Sequence, residues 1–140
     1  MIIIFLSSIQ LLHAQKFMGN DGKISFFSEA PMEDISAINK NVSAVFDSRT
    51  SDLVFQLKIC EFIFTKALMQ EHFNENYLES DIYSKSTFSG KVVKNKNDEA
   101  TVQGNLTIHG ETNSIKVDGV MTQNKETVVI YAEFAVKLED

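Results

Sequence analysis

Apolar and polar residues alternate with period two along most of this 140-residue chain, and the alternation predicts a succession of short β-strands. Lys23–Glu29 sets Ile24 and Phe26 against Ser25 and Phe27. Ala30-Pro31 ends that run, and Met32–Asn41 reads as an irregular or short-strand connection anchored by Ile35 and Ile38. Val42–Asp47 carries Val42, Ala44 and Phe46 on one face. After a turn at Ser48–Asp52, Leu53–Ile59 answers with Leu53, Phe55, Leu57 and Ile59. Four further strands are predicted at Phe88–Lys94, Thr101–His109, Ile115–Met121 and Thr127–Leu138, with turns at Asn95–Glu99 and Gly110–Ser114. At Cys60–Phe64 the parity slips, placing Phe62 and Phe64 opposite Leu57 unless a bulge or bend intervenes, and a bend is expected there.

One stretch breaks the pattern. From about residue 66 to 77 the chain holds good helix formers, with Met69, His72, Phe73, Asn76 and Tyr77 at helical spacing, which predicts a single amphipathic helix. Seven or eight antiparallel strands, each apolar on one face, must form a two-sheet sandwich or close into a barrel. An inserted amphipathic helix suits a barrel mouth that needs a lid. The expected fold is therefore all-β, an antiparallel barrel of about eight strands with one inserted α-helix, just wide enough to be filled by side chains or to hold one small ligand.

Composition sharpens this. Eleven Phe against no Trp and three Tyr favour a dry interior, because Phe brings apolar area with no polar atom to satisfy. A net charge of -6 and a pI near 5.0 argue against nucleic acid or an anionic membrane surface as partner. Residues 1–14 contain no acid and a long apolar run ending at Ala14, the pattern of a secretory signal peptide, with 15–140 as one domain. Such a segment would span only about 20 Å as a helix, short of the roughly 30 Å hydrocarbon core, so no stable membrane anchor is expected. The alternative is a strand or helix of the mature fold. Cys60, the lone cysteine, sits in the apolar run K-I-C-E-F-I-F and is read as a buried small hydrophobe.

The stretches L-M-Q-E-H-F-N-E-N-Y-L-E-S-D-I-Y-S-K-S-T-F-S-G (68–90) and G-N-L-T-I-H-G-E-T-N-S-I-K-V (104–117) resemble the YceI-like family, over roughly Gly22 to Leu138. The family's acid-His-Leu/Phe helix core falls on Glu71-His72-Phe73. Its aromatic element falls on Tyr83–Phe88, with Ser84 where proline is usual, and its G-x-L-T-I-x-G hairpin falls on Gly104–Gly110. Met69-Gln70 stand where an Arg-Asp pair is common, and the chain resembles a compact branch. The resemblance implies a lipocalin-like barrel that binds polyisoprenoids or related lipids in the bacterial periplasm.

The candidate lumen lining is Phe26, Phe46, Phe55, Leu57, Phe88, Leu106, Ile108, Val117 and Phe134, with Met69, His72, Phe73 and Asn76 on the helix lid. These side chains either fill a closed core or line a hollow one. His72 is a satisfied core histidine or a polar handle for a ligand head group. No metal is expected, because His13 lies in the leader and His109 on the outer face of its strand. No nucleophile with its base, no enclosed carboxylate pair and no phosphate-cradling loop is recognisable, and no cofactor is expected. The leading expectation is a non-catalytic carrier of an apolar isoprenoid- or fatty-acyl-like molecule, periplasmic or secreted, as monomer or homodimer. The alternatives are a small enzyme using His72 as acid or base, and a filled barrel serving as an interaction module.

Overall fold

The computed structural model describes residues 2–13, 16–28, 35–64, 84–94 and 96–135. The strands are β1 (Ile2–His13), β2 (Lys16–Ser28), β3 (Ile35–Asp47), β4 (Asp52–Lys58), β5 (Ile63–Phe64), β6 (Lys85–Lys94), β7 (Glu99–Ile108), β8 (Glu111–Gln123) and β9 (Thr127–Ala135). They run in the order β2-β1-β9-β8-β7-β6-β4-β3, every pair antiparallel, and a pairing of β2 with β3 closes the ring. The result is the closed eight-stranded barrel that the alternation predicts, with β5 as a two-residue strand bonded to β3. Closure gives each of the eight a partner on both flanks.

Period two explains the interior. In β4 the burial alternates without a break, placing Leu53, Phe55 and Leu57 inside. In β9 Val128, Ile130 and Ala132 face in. Where parity must change, the chain bends. A single 3-10 turn at Ile59–Glu61 follows β4 and lets Phe62 and Phe64 return to the interior. That turn corrects the reading of Cys60, which is exposed: the turn carries Ile59 and Phe62 inward and leaves the thiol between them facing out.

Two other expectations change. The segment Glu111–Ser114, read as a turn, is the start of β8, laddered on β7 from Ile108↔Glu111 to Asn105↔Ser114. Its polar side chains bond across the strands, Thr107 to Thr112 at 2.8 Å and Ser114 to Asn105 at 3.1 Å. The connection itself is His109-Gly110, with φ of 54° and 74°, the paired left-handed geometry of a two-residue hairpin. His109 is therefore a turn residue and not one on the outer face of a strand.

Residues 2–13, read as a leader, form β1, hydrogen-bonded to β2 on one side and β9 on the other, with Ile3, Phe5 and Ile9 buried. The same apolar character that suits a leader suits a strand walled on both sides. Ser7 is the misfit: its hydroxyl is buried without a hydrogen-bond partner.

The barrel has two unlike ends. At the lower end the β3–β4, β6–β7 and β8–β9 connections are short, and Asn124 accepts bonds from the backbone N–H of both Glu126 and Thr127. Lys91 Nζ donates to Asp52 across β4 and β6 at 2.8 Å, and this bond holds the Asp52 carboxyl below its ordinary range. The N–H of Arg49 does the same to Asp47. A carboxylate whose pKa is lowered in the folded state stabilises the fold above its unfolded-state pKa, and the contribution disappears as pH falls through the folded value. Titration followed by NMR is expected to give both carboxyls midpoints below their usual 3.8; midpoints at or above it contradict these contacts.

Candidate functional site

At the upper end the chain leaves the described structure at Phe64 and re-enters at Ser84. Ser84 O accepts the N–H of Ile59 at 2.9 Å, which ties the point of re-entry to the bend after β4. The lid expected at 66–77, with Met69, His72, Phe73 and Asn76, lies outside the described residues.

Beneath this end lies a cavity of about 30 Å³. Six of the nine expected lining residues meet in it: Phe26, Phe55, Leu57, Leu106, Ile108 and Phe134. Ile3, Ile24, Ile59 and Phe62 add to the apolar wall, with Ser86 as its one polar residue among those described. Ser86 Oγ donates to Thr107 O at 2.8 Å, so the hydroxyl is spent on the wall. A water here would find almost nothing to bond, and such a cavity stays dry. Phe26 packs edge-on to Phe62 and Phe64, at 5.2 and 5.9 Å between ring centres, which binds the bend after β4 to the rim.

A second cavity of about 20 Å³ lies lower, lined by Phe88 and Val117 of the expected set together with Phe5, Leu53, Val102 and Ile115, and again by Phe55 and Phe134. Phe46, the ninth, borders neither cavity. It faces in at the lower end, where it pairs with Leu53 in register and lies 6.3 Å from Phe17.

Between the cavities, three rings stack across the barrel. Phe5 lies 4.5 Å from Phe55 at an interplanar angle of 18°, and Phe55 lies 5.1 Å from Phe88 at 15°. Their positions follow from register, since Phe55 and Phe88 are direct partners on β4 and β6. One further pair fixes the stack. Gly90 and Gly104 are partners on β6 and β7, and a Cβ on either would come 2.8 Å from Cζ of Phe88 and overlap the backbone opposite. Only glycine lets that ring lie down on the sheet.

The expected lining omits Ile3 and Phe5, which are assigned to the leader, and also Ile24, Ile59, Phe62 and Ser86. No alternation marks Ile3 and Phe5, because residues 2–6 are apolar throughout. Among the described residues no group of three His, Cys, Asp or Glu could hold a metal ion, and no helix is long and apolar enough to cross a membrane.

A closed antiparallel barrel with a phenylalanine-rich, apolar interior defines a small β-barrel protein of the lipocalin-like type. The chain belongs to the YceI-like family: residues 10–140 match the YceI-like domain. Among solved structures it resembles the YCEI protein of Campylobacter jejuni, at 22% identity and a TM-score of 0.57, over 69% of this chain and 60% of that one. The chain thus spans about 60% of the length of that relative. It also resembles a polyisoprenoid binding domain from Saccharophagus degradans implicated in plant cell wall breakdown, at 10% identity and a TM-score of 0.55, over 91% of this chain and 97% of that one. No curated protein matches the chain.

Proposed function

We propose that the upper lumen holds the apolar chain of an isoprenoid- or fatty-acyl-like lipid, and that the protein carries or sequesters this molecule without transforming it. The observation that carries the reading is the lining. Among the described residues, every wall of the upper cavity is hydrocarbon except Ser86, whose hydroxyl is already bonded to Thr107 O. Burying a methylene there yields about 0.8 kcal/mol, so a chain of modest length binds usefully with no polar contact. The cavity of about 30 Å³ is smaller than such a chain, and binding therefore requires side chains at the upper end to move apart. Membership of the YceI-like family and the barrel shared with a polyisoprenoid binding domain support the same ligand class.

The periplasm or the exterior is the proposed location. Support comes from the acid-free apolar run at 1–14 and from Ser7, whose buried hydroxyl lacks a partner at a cost of about 1–3 kcal/mol, a poor fit for a permanent strand. Cleavage after Ala14 would take β1 from between β2 and β9, and the exported form would have to close differently. Native mass spectrometry of protein taken from the cell envelope tests both parts at once. A reproducible adduct with the mass of an apolar lipid, on a chain beginning at Gln15, is expected. An adduct-free protein that also takes up no added fatty acid sinks the carrier and favours the filled barrel, and an intact residue 1–14 segment sinks export by this leader.

A further inference from the structure

We propose that Phe55 sets how deep an apolar chain descends the barrel, and hence the chain length the protein prefers; this rests on the lumen-binding reading above. Among the described residues, the upper and lower cavities have only Phe55 and Phe134 in common. Phe134 is half-buried near the upper rim, whereas Phe55 stands mid-barrel with its ring stacked on Phe88 and, in the full chain that keeps β1, on Phe5 as well. Phe88, on one side, cannot retreat, because it already lies against the Gly90–Gly104 pair. The ring of Phe55 is therefore a floor.

Above that floor, β4 and its bend run four residue steps from Phe55 to Ile59, about 13 Å at roughly 3.3 Å per residue along a strand. That depth suits a medium-length acyl chain or a short isoprenoid end. A longer chain leaves its remaining carbons at the mouth and gains nothing from the lower cavity, although the walls there, Val102, Ile115 and Val117, are equally apolar. Removing the ring of Phe55 joins the two spaces.

The test titrates the full chain with octanoate, dodecanoate and palmitate by displacement of a fluorescent apolar dye. In the unmodified protein, affinity is expected to rise from octanoate to dodecanoate and then level off. In Phe55→Ala it is expected to keep rising, with palmitate bound about tenfold tighter than by the unmodified protein, the worth of two further buried methylenes. Phe55→Leu, a milder truncation, shifts the preference the same way by a smaller factor. Adding Val117→Phe to Phe55→Ala, which places a ring back in the lower space, restores the original plateau. An unchanged dependence on chain length in folded Phe55→Ala and Phe55→Leu overturns the floor and leaves lumen binding standing. Failure of every variant and of the unmodified protein to bind any of the three acids overturns both.

Discussion

Truncating Phe88 to alanine is expected to lower the stability of the barrel by about 3–5 kcal/mol, the usual range for deleting a fully buried phenyl ring. Phe88 is 1% exposed and makes the largest of the fully buried side chains. Its surroundings cannot collapse to fill the space. On one side lies the Gly90–Gly104 pair, which has no side chains to move in, and on the other lies Phe55, itself stacked on Phe5. The cavity term should therefore be retained almost whole. Denaturant unfolding followed by circular dichroism measures it, with Phe134→Ala as the comparison. Phe134 is only partly buried, so its truncation is expected to cost less than half as much. A loss below about 1 kcal/mol for Phe88→Ala would mean that the ring does not bear on its glycine floor as described.

What the sequence revealed and what it hid follow from one rule. Alternation is legible where inward positions are large and apolar and outward ones polar, as in β4 with Leu53, Phe55 and Leu57 inside. It fails where the two classes trade places. In β3 the inward residues Ala37 and Asn39 are small or polar, while Ile38 between them is partly exposed, so this half of the strand read as an irregular or short-strand connection. Polar Glu111–Ser114 hid the start of β8, because side chains bonding across a two-stranded ladder need no apolar face. Cys60 was misplaced because a three-residue turn changes which side chains face inward without changing composition. That six phenyl and aliphatic side chains from four different strands face inward was legible because they obey the same period; that Phe5, Phe55 and Phe88 would stack depends on strand register, which no local pattern carries.

Asn39 shows the hidden half of β3 at work. It is fully buried, and both ends of its amide are used: Nδ2 donates to Lys58 O at 3.0 Å, and Oδ1 accepts the N–H of Asn41 at 2.8 Å. The second bond bridges a bulge, for β2 advances from Gly22 to Ile24 while β3 covers Asn39 to Val42. The first ties that bulge to the end of β4, just before the chain bends into the upper rim. Asn39→Ala takes the amide donor from Lys58 O and frees the bulge, and is expected to cost about 1–3 kcal/mol. Asn39→Asp separates the two bonds. A protonated carboxyl can still donate to Lys58 O, whereas a carboxylate faces that carbonyl with no proton to offer, so its pKa is raised in the folded state. A raised carboxyl pKa removes stability as pH climbs from the unfolded to the folded value. The Asn39→Asp protein is therefore expected to lose stability relative to the unmodified protein between mildly acid and neutral pH, measured by denaturant unfolding across that range. A difference that does not vary with pH would show that the amide holds the bulge by its acceptor alone.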